Sequence, residues 1–251
     1  MKFRFKALGL HLLTSAAVLA LIIGSLYGGW YHWPGWYLAD ASQVAAVMLG
    51  VDVGLGPLLT FVTASPGKPR PTLKRDIAMI VLIQLVALGY GTVSLWNGRP
   101  LYYAFSVNCL TLVQAYDIEP GDAALGRERN AKLAPHWYSL PRWIWAPLPD
   151  DAALAEKIVG GAVNGGSDVT AMPIYYRSFE AGLPDLRTQL QKVDDIKFFS
   201  AAQKQVLKSR MQAAGLAPEQ ANGLAFTGRS RPLLAVFDPP TLKLVATFKF
   251  N

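Results

Sequence analysis

The sequence has very few of the residues on which enzymes and disulfide-bonded domains depend. Its one cysteine, Cys109, excludes an internal disulfide. Its three histidines, His11, His32 and His136, fall in different regions, so neither a zinc site nor a Ser-His-Asp arrangement has local support. The glycine-rich stretches lack the lysine of a phosphate-binding loop. The sequence therefore predicts no catalytic residue, no metal and no cofactor, and we expect that the protein is not an enzyme.

Charged side chains are also scarce, and they avoid much of the first part of the chain. Only 16% of the residues are charged while 52% are hydrophobic, which is more apolar than an average soluble domain. No charge lies between Lys6 and Asp40 or between Asp76 and Arg99, whereas residues 97–251 have ordinary polarity. The net charge of +7 is divided between these two parts as +4 and +3, without a basic stripe, so we expect no nucleic-acid partner.

Three apolar runs are long enough to cross a bilayer. A hydrocarbon core of about 30 Å needs about 20 helical residues, because backbone groups find no water there and must bond within the helix. The runs Leu8–Gly29, Gln43–Thr63 and Ile77–Trp96 meet this length. A cleaved signal peptide is the alternative for the first run, but that run is too long for one and two more spans follow. We therefore predict a three-helix transmembrane region at residues 1–97 and a separate domain at residues 98–251.

Basic and aromatic residues predict the direction in which these spans cross the membrane. Cytoplasmic loops retain Lys and Arg, and here these residues precede span one and separate spans two and three, but none separates spans one and two. Trp and Tyr prefer the headgroup interface, and they cluster at residues 27–37 and at Trp96, at the opposite ends of the spans. We predict a protein of a bacterial inner membrane, with a cytoplasmic N-terminus and a periplasmic C-terminal domain.

An acidic residue, Asp52, lies in the middle of span two. A central carboxylate costs on the order of 3 kcal/mol, so its side chain should face protein rather than lipid. Gly50 and Gly54 form a small-xxx-small pair that allows a helix to approach closely, and Pro57 opens a backbone carbonyl to a partner. Gln84 on span three is the best internal partner by depth in the membrane. Two roles for Asp52 stay open: to fix the packing of the three spans, or to dock another membrane helix.

A proteolytic role for Asp52 would need a second carboxylate, because aspartyl proteases pair two acids. The one candidate is Asp76, which lies at the cytoplasmic end of span three, roughly a dozen ångströms from Asp52 in depth. Carboxylates at that separation cannot share a proton, which makes an intramembrane protease the least favoured function.

Residues 98–251 predict a small α+β domain. Aromatic and branched residues form strands at 101–107 and 110–116, joined by a turn at Asn108-Cys109 in which Asn108 tolerates the positive φ. A second hairpin, at 233–237 and 242–250, closes the chain. Helices are predicted after the capping box of Ser200 and Gln203, and over shorter stretches at 151–160 and 186–193. We expect the two terminal hairpins to share one sheet.

An aromatic segment at residues 135–147 interrupts this pattern. Its prolines forbid a regular helix, and Trp137, Trp143 and Trp145 are costly to leave in water. The segment either packs over the sheet of its own domain or forms a patch that binds a partner or the membrane surface, since Trp, Tyr and Arg are the usual interface anchors.

Several motifs together carry a resemblance to a known family. They are Gly9-Leu10-His11-Leu12-Leu13, Gly50-Val51-Asp52-Val53-Gly54-Leu55-Gly56-Pro57-Leu58-Leu59-Thr60, Leu73-Lys74-Arg75-Asp76-Ile77-Ala78, Gln84-Leu85, Tyr90-Gly91-Thr92, and more loosely Arg99-Pro100, Pro173-Ile174-Tyr175-Tyr176 and Arg231-Pro232-Leu233-Leu234-Ala235-Val236-Phe237-Asp238. With these motifs the chain resembles the TfpX/TfpZ-type type IV pilin accessory proteins over nearly its whole length.

The resemblance implies a non-enzymatic inner-membrane factor that stabilises a type IV pilin or assists its assembly. Its expected partners are the major pilin, through its transmembrane helix and its head, the lipid bilayer, and the pilus assembly machinery. The expected partner-binding residues are Gly50, Asp52, Gly54, Pro57, Gln84, Trp137, Trp143 and Trp145. The alternative function is a membrane-anchored periplasmic sensor or binding module.

Overall fold

The computed structural model describes residues 2–65 and 67–249, which divide into two compact units. The first, which we call the helical unit, comprises the residues up to His32 together with Asp40–Gly98. The second, which we call the sheet domain, comprises Trp33–Ala39 and the residues from Arg99 onward. A short stretch between two membrane helices is thus part of the second unit.

The helical unit contains three helices that are long and apolar enough to cross a membrane, which confirms the prediction of three spans. Span one is helix α1 (Lys2–Leu26) with a π-helical continuation (Tyr27–Tyr31). Span two is α3 (Ala41–Leu49), a π-helical turn (Gly50–Leu55) and α4 (Gly56–Thr63), and span three is α5 (Arg70–Asn97). The short helix α2 (Gly35–Leu38) belongs to the sheet domain.

Span two is the most enclosed of the three. Within the described residues, 28% of its most apolar stretch is buried, against 6% for span one and 11% for span three. The other two helices leave most of their apolar side chains to the surrounding lipid, as Leu21 and Val86 illustrate. Asp52 and Thr60, both on span two, are accordingly buried.

The sheet domain is built on one mixed sheet. Its strands are β1 (Pro100–Ser106), β2 (Cys109–Gln114), β3 (Arg142–Trp145), β4 (Arg177–Ser178), β5 (Gln191–Lys192), β6 (Asn222–Thr227), β7 (Leu233–Phe237) and β8 (Leu244–Phe248). Their order is β4-β3-β1-β2-β6-β7-β8, and β5 pairs with β6. The pairs β1/β3 and β2/β6 are parallel and the other pairs are antiparallel. The first and last hairpins share this sheet, as predicted, with β6 between them.

Helices α6 (Pro120–Asn130), α7 (Ala152–Val163), α8 (Leu183–Gln189) and α9 (Ala201–Ala213) connect the strands. Helix α9 begins at the predicted capping box, in which Ser200 and Gln203 bond each other's backbone N–H groups. Leu207 and Met211 of this helix are fully buried against Leu234 and Val236 of β7. Because these residues recur at helical spacing, α9 was the helix of this domain that the sequence predicted most clearly.

Several predicted boundaries are wrong in detail. Ser106 pairs with Cys109, so the first hairpin turns at Val107-Asn108, and the positive φ of 50° falls on Val107 rather than on Asn108. Helix α7 continues through Gly160-Gly161 to Val163, because Gly in a helix weakens it without ending it. Helix α8 stops at Gln189, since the chain then enters β5, and Phe250 of the predicted last strand lies outside the described residues.

The segment Trp33–Ala39, between spans one and two, packs into the sheet domain. The backbone N–H of Arg229 donates to the carbonyl of Leu38 at 2.8 Å, and Leu38 is fully buried. The indole N–H of Trp33 donates to the Thr247 hydroxyl at 2.8 Å, and the Lys249 ammonium lies 4.5 Å from the ring centre of Tyr37. This connection is therefore part of the fold of the domain, which no pattern in the sequence had indicated.

Candidate functional site

The centre of span two is a π-helical turn whose hydrogen bonding is completed by span three. In this turn the N–H of Gly56 bonds the carbonyl of Val51, five residues earlier. The next bond of the same kind would run from residue 57 to the carbonyl of Asp52, but Pro57 has no N–H. The side-chain amide of Gln84 donates to that carbonyl instead, at 3.0 Å. Gln84 thus supplies a donor that the backbone lacks, where no water would do so.

A glycine makes this contact sterically possible. A Cβ at position 56 would lie 2.0 Å from Nε2 of Gln84, so a larger residue there would displace the amide. A similar close approach occurs further along span three, where a Cβ at Gly91 would lie 2.6 Å from the Met48 side chain. Spans two and three therefore approach each other through Gly56 and Gly91.

A second polar contact joins spans one and two. The His11 Nδ1 and the Thr60 hydroxyl lie 2.6 Å apart in a hydrogen bond. Together with Asp52 and Gln84, these side chains line a groove of about 420 Å³ between the three spans, which we call the intramembrane groove. Its other lining residues are mainly Leu, Ile, Val and Ala, with Thr14 and Ser15 from span one. A stripe of polar groups therefore crosses an otherwise apolar groove.

The carboxyl group of Asp52 is the polar feature that these contacts leave incomplete. The Asp52 side chain is only 4% exposed, and its Oδ2 has no hydrogen-bond partner among the described residues. The Oε1 of Gln84 is likewise buried and unbonded there. A buried polar atom without a partner is costly, so these two oxygens are the unsatisfied polar atoms of the groove.

The predicted intramembrane residues divide into two sets. Asp52, Pro57 and Gln84 are buried and meet around one backbone carbonyl. Gly50 and Gly54 are exposed, and a Cβ at either position would meet no described atom within 4 Å. The small-residue pair is therefore not used for packing within the described part of the chain, where Gly56 and Gly91 have that role instead.

Asp76, the other acid considered with Asp52, is engaged at the end of span three. Its carboxylate forms an ion pair with the Lys68 ammonium and lies 3.9 Å from Nε of Arg75. This pairing gives Asp76 a local role in joining the loop to the helix. At the opposite end of the spans, the Tyr31 hydroxyl donates to the Leu95 carbonyl at 2.7 Å, and Trp30 packs edge-on against Trp96.

The three predicted tryptophans of the sheet domain lie in different environments. Trp143 and Trp145 are half-buried on β3, a strand that no pattern in the sequence had predicted. The ring of Trp143 packs against Tyr103, Phe179 and Phe226, at centroid distances of 5.2, 5.3 and 5.8 Å. Trp137 is 74% exposed. The segment therefore both packs into its own sheet and leaves an exposed aromatic group.

Trp143 also lines a groove on the sheet domain, which we call the domain groove. It has a volume of about 510 Å³ and is lined by Trp143, Phe179, Leu183, Phe237, Leu242 and Leu244, with Glu180 and Lys243 among its polar residues. A mainly apolar lining with one acidic and one basic side chain is typical of protein–protein interfaces.

Burial favours the neutral forms of several ionisable groups of the sheet domain. Burial raises the pKa of Tyr103 to about 12. Burial also raises the pKa of the Cys109 thiol, so little of the reactive thiolate forms at neutral pH. Among the described residues, no group of three His, Cys, Asp or Glu side chains could hold a metal ion.

The fold and the intramembrane groove define a class of protein with three membrane-spanning helices and one mixed-sheet domain. No protein-family model matches the chain, and no solved structure matches it. Curated sequences do. The chain is 26% identical over 240 residues to "Fimbrial assembly protein, serogroup I" of Dichelobacter nodosus and 25% identical over 240 residues to the serogroup E1 protein, in each case with 94% of this chain and 91% of the relative covered.

A third relative shows the family to which the chain belongs. "Fimbrial assembly protein, serogroups C1 and C2" of the same organism is 32% identical over 116 residues, which cover 46% of this chain and 88% of the relative. The chain therefore belongs to the family of these fimbrial assembly proteins.

Proposed function

We propose that this protein is an inner-membrane factor of type IV pilus biogenesis that holds a pilin subunit by its transmembrane helix, without catalysing a reaction. The names of its relatives support a role in fimbrial assembly. The resemblance to TfpX/TfpZ-type proteins supports a pilin as the partner. A pilin awaiting assembly has one apolar helix in the membrane and a globular head outside it, so a helper needs contacts at both levels.

The observation that carries the proposal is the unpartnered carboxyl oxygen of Asp52 in the intramembrane groove. The groove offers apolar walls for a helix, and Asp52 and Gln84 offer two acceptors at mid-membrane depth. A partner helix that brings a donor to this point would remove the cost of the unbonded oxygens. The exposed Gly50 and Gly54 give span two a second face on which a helix could approach closely.

The domain groove lined by Trp143 is the proposed contact for the pilin head. This assignment needs the sheet domain to be periplasmic. The basic residues before span one and between spans two and three support that orientation. So does the segment Trp33–Ala39: three crossings require the loop after span one and the chain after span three to be on the same side, and this segment folds into the sheet domain.

The proposal is tested by pilin recovery with the tagged protein from detergent-solubilised membranes. Asp52→Leu should lower the pilin recovered severalfold, because it removes the central acceptor and keeps the apolar volume. Leu58→Ala is the matched control, since Leu58 is on the same span, is 55% exposed and lies outside the intramembrane groove. Equal membrane levels and equal thermal unfolding of the variants exclude a folding defect. Unchanged recovery with Asp52→Leu would remove Asp52 from the mechanism.

A further inference from the structure

The sheet domain carries an exposed aromatic tip that neither groove uses. We define the aromatic tip as residues 136–140, with Trp137 74% exposed, Tyr138 59% and Leu140 57%. Three large apolar side chains within four residues are unusual on a water-facing surface, where such patches generally mark an interaction site. The tip does not line the intramembrane groove or the domain groove.

Two arginines fix the backbone of this tip from inside the domain. Arg142 donates from Nη2 to the carbonyls of Leu133 and Ala134, at 2.9 and 3.0 Å, immediately before the tip. Arg99 donates from Nη2 to the carbonyl of Trp137 at 3.0 Å. Within the tip, the N–H of His136 donates to the Ser139 hydroxyl at 2.8 Å. The side chains are thus presented from a backbone with defined partners, which lowers the entropy lost on binding.

Chain connectivity keeps one contact of this tip close to the end of span three. Arg99 is the second residue after Asn97, the last residue of span three, and consecutive Cα atoms are about 3.8 Å apart. The Cα of Arg99 therefore lies within about 8 Å of the end of the span. Because Arg99 bonds the carbonyl of Trp137, the tip is tethered a short distance along the chain from the last residue of span three.

The composition of the surrounding segment matches a lipid surface. Trp and Tyr prefer the headgroup region, where an apolar ring and a polar edge are both accommodated. No Asp or Glu occurs from residue 130 to residue 149, whereas Lys132 just before the tip is an exposed cation. Anionic headgroups attract basic residues near the surface, so charge and aromatic character favour the same occupant.

We propose that the aromatic tip inserts into the headgroup region of the bilayer leaflet from which span three emerges. Trp137, Tyr138 and Leu140 would then anchor the sheet domain to the membrane surface at a point additional to its covalent connections. The proposal concerns lipid and is independent of whether the intramembrane groove binds a pilin.

The test uses the full chain in nanodiscs of phosphatidylethanolamine and phosphatidylglycerol, without pilin. In a Cys109→Ser background, Leu140→Cys is labelled with a fluorophore and quenched by lipids that carry a spin label near the headgroup. The matched control is Val163→Cys at the end of α7, because Val163 is 81% exposed in the same domain. Quenching should be severalfold stronger at position 140 than at position 163. Adding Trp137→Ser and Tyr138→Ser should reduce the quenching at position 140 towards the control.

Equal quenching at the two positions would overturn the proposal. So would a label at position 140 that lipid quenchers do not reach but that added pilin shields from iodide, because the tip would then be a protein-binding surface. Thermal unfolding of each labelled variant checks that the domain is intact.

Discussion

The helical unit and the sheet domain differ in how far they bury their apolar side chains. In the sheet domain, Phe226, Leu207 and Leu234 are fully shielded from solvent. In the helical unit, Leu82 and Val86 are 56% and 66% exposed. Lipid is as apolar as leucine, so membrane helices gain nothing by hiding these side chains from it. Burial of apolar area thus holds the sheet domain together, while other contacts must define how the spans pack.

Those other contacts are polar, aromatic or steric. In the described helical unit they include the Gln84 bond to the Asp52 carbonyl, the His11–Thr60 bond and the close approaches at Gly56 and Gly91. A single polar contact therefore contributes a larger share of the packing between the spans than it does within the sheet domain. An unbonded carboxyl oxygen among lipid-facing helices is therefore a stronger sign of function than an exposed leucine beside it.

The prediction with the largest expected effect tests whether burial of apolar side chains stabilises the sheet domain more than the helical unit. Phe226→Ala should lower the free energy of unfolding of the sheet domain by about 3–5 kcal/mol, because the ring is fully buried and its loss leaves a cavity. The matched change in the helical unit, Leu82→Ala, should have little effect on stability. Chemical denaturation of the purified protein in detergent, followed by circular dichroism, measures both.

Leu82 is a fair control because it is large, apolar and outside the intramembrane groove. A loss of stability for Leu82→Ala as large as that for Phe226→Ala would show that apolar packing stabilises both regions equally. It would mean that span three is packed against protein at a position that the structure leaves open.

A smaller effect is expected where the two regions are joined in sequence, at Trp33–Ala39. A Cβ at Gly228 would lie 2.2 Å from the carbonyl oxygen of Leu38 and 2.7 Å from its Cα, and backbone atoms cannot swing aside. Gly228→Ala should therefore displace the segment, costing about 1–3 kcal/mol and exposing it to protease. Limited proteolysis with mapping of the cleavage sites measures this.

Gly160→Ala is the control for Gly228→Ala. Gly160 lies within α7 and has no described atom near its Cβ position, so alanine there should be neutral or stabilising through its helix propensity. If Gly228→Ala leaves the segment as resistant as in the unchanged protein, Trp33–Ala39 is not an integral part of the domain.

The sequence predicted those features that depend on local patterns. Long apolar runs identified the three spans, the Ser200–Gln203 capping box identified α9, and the apolar run before the Asp238–Thr241 turn identified β7 to the residue. Strands β3, β4, β5 and β6 and helix α6 were missed. Strand β3 is only four residues long within a proline-rich segment, and it is defined by pairing with β1, which a local pattern cannot reveal.

The candidate site was predictable to a similar extent. A charge within an apolar run identified Asp52, and depth in the membrane identified Gln84 as its neighbour. The atom that Gln84 bonds was not predictable, because it depends on a π-helical turn and on the N–H that Pro57 lacks. The role of Gly56 was also missed, since the glycine spacing of 50 and 54 is the usual packing motif and position 56 is outside it.

The prediction with the smallest expected effect tests whether the hydrogen bond from Gln84 to the Asp52 carbonyl joins spans two and three. Gly56→Ala should cost about 1 kcal/mol, because its Cβ displaces the Gln84 amide from the Asp52 carbonyl. In a Gln84→Ala background the space is already free, so Gly56→Ala should cost much less and the two changes should not add. Gly54→Ala with Gln84→Ala is the control pair, because nothing described lies near the Cβ position of Gly54, and its effects should add. Unfolding in detergent measures all the variants, and additivity of Gly56→Ala and Gln84→Ala to within about 0.5 kcal/mol would show that the two residues act independently.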